Sequence, residues 1–87
     1  VRRLRAAHVG FMTGQMNEGG IGTAAVLHVA AATAPDHAEL YGADGLSNDP
    51  ATGVTYGAGM ARVSARAGWG VDFNPAGTTL VTEYMVA

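Results

Sequence analysis

The chain has 87 residues, a formal net charge of −2, five arginines, and neither lysine nor cysteine. This length allows one small domain, which hides only about 60–65% of the surface its unfolded chain exposes. The missing cysteines exclude a disulfide framework, a thiolate zinc site and a thiol nucleophile; the missing lysines exclude a Schiff base, a lysine base and a P-loop; and no basic stripe is present to hold a nucleic-acid backbone.

Residues 2–8 read as the end of a helix. Arg2, Arg3 and Arg5 complement the negative end of a helix dipole, and Gly10 is placed to stop the helix. Residues 11–17 read as a strand. A period of two sets Met12, Gly14, Met16 and Glu18 on one side, and Phe11, Thr13, Gln15 and Asn17 on the other. Gly19, Gly20 and Gly22 make a glycine turn, Thr23 caps or enters a helix running to Thr33, and Pro35 ends it. That helix is apolar nearly all round, so it must be covered on several sides. Its small side chains bury little area each, which suits a close-packed piece of a larger body. The apolar stretch 21–34 is broken by Gly22, Thr23, His28 and Thr33. It is also shorter than the roughly 20 residues a bilayer demands, so no membrane partner is expected.

Beyond Pro35 the chain turns to Gly, Asp, Asn, Pro and Thr, with few large side chains. Asn48, Asp49, Pro50 and Gly53 form a turn cluster. Residues 56–67 read as a short strand or hairpin arm around Met60–Val63, and Gly68, Trp69 and Gly70 as a turn entering a short strand. Residues 80–86 fit a strand or a helical turn equally. The sum is an α/β pattern of helix, strand, glycine turn and helix, then a long irregular tail. Such a pattern is one rung of a barrel or of a doubly wound sheet.

Two places carry chemistry. The glycine turn opens a helix whose free N–H groups can face an anion, yet it matches neither the Gly-x-Gly-x-x-Gly fingerprint nor the P-loop. It reads as an anion site or as a tight turn that needs glycine for steric reasons. Glu18 ends the strand. In a barrel, strand C-terminal ends are where active sites assemble, and a carboxyl there can hold a proton or a hydrogen bond. The plainer reading is an acid complementing the helix dipole. His28 reads as a hydrogen-bonded packing residue, and His8 and His37 have no partner spacing for a metal. Asp44, Asn48 and Asp49 depart from the calcium-loop pattern and read as turn residues.

Gly14, Met16, Glu18, Gly22, Ala24, Ala25 and His28 stand in an order that resembles the mandelate racemase/muconate lactonizing branch of the enolase superfamily. In that family a strand ends in Gly-x-Met-x-Glu, followed by a small-residue turn and Ala-Ala-x-x-His in a helix. Ala67, Gly68, Trp69, Gly70 and Val71 are similar, more loosely, to its closing Pro-Gly-Leu-Gly-Val segment.

The resemblance implies a C-terminal piece of a modified (β/α)-barrel: the end of the seventh helix, the eighth strand and the eighth helix over residues 1–35. Residues 36–87 would then return to an absent capping domain, with Trp69 wedged against it. It implies a Mg²⁺-dependent parent that abstracts the proton α to a carboxylate in a racemase, epimerase, cycloisomerase or dehydratase reaction. The metal's carboxylates and the basic lysines would lie on other strands, so the fragment alone would be inert. Glu18 matches the family's carboxyl that hydrogen-bonds the substrate carboxylate or assists the electrophilic side. Met16 would line the pocket wall, with Gln15 and Asn17 flanking it as further substrate-binding residues. The parent would be a homo-oligomer taking a small carboxylate substrate, and the lack of a signal segment and of cysteines points to a cytoplasmic setting. The alternative is a free-standing α/β module that binds an anion at the glycine turn.

Overall fold

The computed structural model of the chain describes residues 1–86. Its elements run α1 (Arg2–Ala6), β1 (Met12–Gly14), α2 (Gly20–Thr33), β2 (His37–Glu39), β3 (Ala51–Thr52), β4 (Val54–Gly57), β5 (Met60–Val63) and β6 (Asp72–Phe73). The strands form three separate two-stranded pairs, so the fold is a small mixed α/β assembly built around one long helix.

The short helix α1 ends at Ala6, four residues before Gly10. His8 takes a left-handed conformation (φ 54°), while its N–H donates to the Arg5 carbonyl and that of Val9 to the Leu4 carbonyl. This is the six-to-one, five-to-two closure that ordinarily uses glycine, here made by a histidine, one of the side chains that tolerates it. Arg5 does not serve its own helix. Its guanidinium donates to the Thr33 carbonyl and, at 2.9 Å, to that of Ala34, and it lies 5.5 Å from the Phe11 ring centroid. A cation thus sits on the unsatisfied carbonyls at the end of α2.

β1 is shorter than the stretch of alternating residues around it, but the alternation holds. Met12 and Met16 are exposed (60% and 80%), while Thr13 and Gln15 turn toward α2 and are half-buried. β2 pairs with β1 in parallel, Met12 opposite His37 and Gly14 opposite Glu39, so β1, α2 and β2 make one crossover unit. Asp36 aligns the two strands: its N–H donates to the Phe11 carbonyl, and its carboxylate accepts from the Phe11 N–H at 2.9 Å.

α2 begins at Gly20 with Gly19 as its cap, so Thr23 is not the cap but a fully buried residue inside the helix. It ends at Thr33, where Ala34 turns left-handed (φ 43°) and Pro35 follows. β4 and β5 form a hairpin in which Gly57 faces Met60. Its two-residue loop has positive φ at both Ala58 and Gly59, the mirror-image turn whose twist suits a hairpin. β3 pairs antiparallel with β6. Residues 80–86 were expected to form a strand or a helical turn. They form neither, because no neighbouring strand supplies a ladder, and Leu80 to Val86 lie in solvent.

The apolar core is very small. Ala24 and Ala51 are its buried hydrophobic residues, where the first turn of α2 meets β3. A Cβ at Gly20 would lie 3.2 Å from that of Ala51, so close contact here depends on small residues. The accessible surface is 6671 Å², against about 4,800 Å² for a folded monomer of this mass. The radius of gyration is 15.0 Å, against about 12 Å for a compact domain of this length. The structure therefore leaves much apolar surface uncovered, Val29 of α2 included. Among the described residues no helix is long and apolar enough to cross a membrane.

Candidate functional site

The exit of β1 and the first turn of α2 bring together Gln15, Glu18 and Thr23. The chain leaves the strand at Gly14, so alternation does not carry Glu18 to the face of Met12 and Met16. Glu18 lies beside the first turn of α2 instead. A Cβ at Gly22 would come within 3.0 Å of the Glu18 Cβ, so the glycine leaves the space this side chain uses.

Gln15 turns toward the helix, as alternation predicted, and its amide bridges two partners. Nε2 donates to Glu18 Oε2 at 3.1 Å and to Thr23 Oγ1 at 2.8 Å. The Thr23 hydroxyl, accepting from Gln15, donates onward to the Glu18 carbonyl oxygen at 3.4 Å. The proton count closes this ring: two amide hydrogens and one hydroxyl hydrogen meet three acceptors. It also fixes the amide's orientation, because an ionised carboxylate only accepts, so Nε2 faces Glu18. The opposite amide atom, Oε1, is then buried with no partner. Leaving a buried acceptor unmade costs about 1–3 kcal/mol. The chain closes over this amide at Gly42, where any Cβ would collide with the Gln15 side chain and the Met16 carbonyl oxygen.

The four residues singled out from the sequence are thus sorted by the fold. Glu18 is exposed and anchored through one carboxylate oxygen, and Met16 and Asn17 are exposed. Gln15 has its amide committed to Glu18 and Thr23. Sequence reasoning did not find Thr23 or Gly42. The spacing of Gln15, Glu18 and Thr23 across a turn carried a faint signal for the first, and only the fold brings in the second.

The start of α2 is already engaged by an acid of this chain. Asp49 Oδ2 accepts from the Gly20 N–H at 2.5 Å, and Oδ1 accepts from the Ala51 N–H at 3.0 Å. Asp49 thus makes an Asx turn across Pro50 and caps the helix at the same time. Among the described residues no three His, Asp or Glu side chains come together to hold a metal ion.

Farther along α2, His28 Nε2 lies 3.2 Å from the Trp69 carbonyl oxygen, and the two rings are 5.8 Å apart and tilted at 47°. His28 is therefore a hydrogen-bonded packing residue, and Trp69 wedges against α2 while staying half exposed. Arg66 ties the Trp69 loop. It grips Asp72 with both guanidinium nitrogens (3.1 and 2.9 Å) and reaches the Gly70 carbonyl and the Ser64 hydroxyl. An open apolar groove of about 1020 Å³ runs between the far half of α2 and the β4–β5 hairpin, lined by Leu27, Ala31, Leu40, Tyr56, Met60 and Val63 among others. Glu18 and its neighbours do not border it. No family model, no curated protein and no solved structure matches this chain.

Proposed function

We propose that this chain is the closing segment of an enolase-superfamily enzyme of the mandelate racemase/muconate lactonizing branch, whose whole protein abstracts the proton α to a carboxylate. The observation that carries this reading is the placement of Glu18. It is an exposed, hydrogen-bonded carboxylate at the exit of a strand, followed at once by a helix packed on that strand. The large uncovered apolar surface supports it too, since a barrel and a capping domain would supply what Met12, Val29 and the tail lack. In this reading β1 is the eighth strand and α2 the eighth helix, and β2, paired in parallel with β1, stands where a neighbouring barrel strand would.

The Mg²⁺ of the family stabilises the enediolate. The residues of this chain do not fit it, because no metal-holding group of side chains is present among those described. Bases are likewise supplied by other strands, the chain having no lysine. What this chain contributes is Glu18, which hydrogen-bonds the substrate carboxylate or stabilises charge developing on it. The competing reading, a binding module with an anion in its glycine turn, loses support because Asp49 already takes the Gly20 N–H.

The test is α-proton exchange in D₂O, followed by proton NMR, for a panel of 2-hydroxy acids and acid sugars with Mg²⁺ and the full-length protein that carries this segment. Exchange that disappears in Glu18→Gln supports the proposal. Absence of exchange across the panel, or exchange indifferent to Glu18, overturns it.

A further inference from the structure

We infer that Gln15 and Thr23 are positioning residues that hold the Glu18 carboxylate in one orientation, with Oε1 left for the substrate. This rests on the function proposed above and goes beyond it, since Gln15 becomes a support behind the acid rather than a contact for the ligand. Three observations carry it. The first is the closed ring, which ties Glu18 at two points: its Oε2 through Gln15 and its backbone carbonyl through the Thr23 hydroxyl. A long side chain on an exposed turn otherwise samples many rotamers, and productive geometry tolerates little such freedom.

The second is the orphaned Oε1 of Gln15. A leucine or methionine would fill the same space with no unsatisfied oxygen, so the site keeps an amide at a cost. The only things that amide does are donate to Glu18 and to Thr23. The third is Gly42, whose backbone covers the amide so closely that no side chain fits. The loop after β2 thereby covers the Gln15 amide and its part-buried bond to Thr23, where water would compete for the same hydrogen bond. The anchor is rigid as well, because Thr23 is fully buried in the first turn of α2.

Substitutions in the full-length protein test the inference, read by kcat and KM for the fastest-exchanging member of the panel. Gln15→Leu is expected to lower kcat by roughly 10- to 100-fold with little change in KM. Thr23→Val, nearly isosteric, lowers kcat less. Gly42→Ala disturbs the ring without touching its chemistry, and also lowers kcat. The deciding comparison is the double variant: in a Glu18→Gln background, Gln15→Leu is expected to cost nothing further, because the group it orients is gone. If the two losses multiply in full, Gln15 acts structurally and the inference falls while the function stands. An unchanged kcat in folded Gln15→Leu and Thr23→Val overturns it in the same way. If Gln15→Leu does not fold, Thr23→Val and its double variant decide by the same criteria. If Glu18→Gln itself is fully active, the proposed function fails and takes the inference with it.

Discussion

Asp49 Oδ2 lies 2.5 Å from the N–H of Gly20, a residue 29 positions earlier in the chain. One carboxylate therefore caps α2, shapes its own turn through the Ala51 N–H, and fixes the turn-rich segment to the end of the crossover unit. Asp49→Ala is expected to destabilise the helix start by about 1 kcal/mol. Asp49→Asn, which keeps an acceptor oxygen, is expected to lose much less. Amide hydrogen exchange at Thr23 and Ala24 reads this directly, and equal protection in wild type and Asp49→Ala would refute the cap.

At the other end of the helix, Ala34 holds a left-handed conformation that glycine adopts without a Cβ penalty. Ala34→Gly is expected to stabilise the chain by up to about 1 kcal/mol, as relief at the cap outweighs the added freedom of the unfolded state. A rise in Tm supports this. A fall means that the unfolded-state entropy dominates.

The Arg66–Asp72 pair gives the Trp69 loop a pH dependence of definite sign. Hydrogen bonds from Arg66, and then its charge, hold the Asp72 carboxyl below the usual carboxylate range, and the same two effects raise Arg66. A depressed folded value means the pair's contribution is complete above the unfolded value of about 3.9 and fades as pH falls through the lower folded value. Both side chains are exposed, so the effect is small and weakens with salt. Emission from Trp69, the single tryptophan, is expected to change below about pH 4 at low salt. Asp72→Asn removes that step, and an identical acid profile in the variant would separate the loop from the ion pair.

With only Ala24 and Ala51 as buried hydrophobic residues among those described, the 87-residue chain by itself is expected to unfold gradually. Helical circular dichroism and Trp69 emission should follow different urea curves, since two-state behaviour needs one shared core. Coincident, steep curves from a monomer would show that the chain buries enough on its own, and would remove the ground for a larger body around it.

Much of the helical part was readable in advance. The end of α2 at Thr33 follows from Pro35, β5 from the run at Met60, and the role of His28 from its place on an apolar helix. Glu18 and Met16 were singled out by position, but the face of Glu18 was not legible, because alternation stops being a guide once the chain leaves the ladder at Gly14. β2 was missed for a related reason. His37, Ala38 and Glu39 have no strand-forming character of their own, and pairing with β1 makes them a strand. Residues 80–86 err in the opposite direction: Val81, Thr82 and Tyr84 favour a strand, but preference without a partner yields none. The ring at Gln15 joins two sides of a turn with the loop after β2, so its full membership exists only in three dimensions.

A strand has two edges, and β2 occupies one of those of β1. The sheet can thus grow from β1 in one direction only. Growth the other way must start from the outer edge of β2, a strand of three residues. Any closed barrel that contains β1 in this arrangement counts β2 among its staves, and its seam falls beside His37, Ala38 and Glu39 rather than beside Met12.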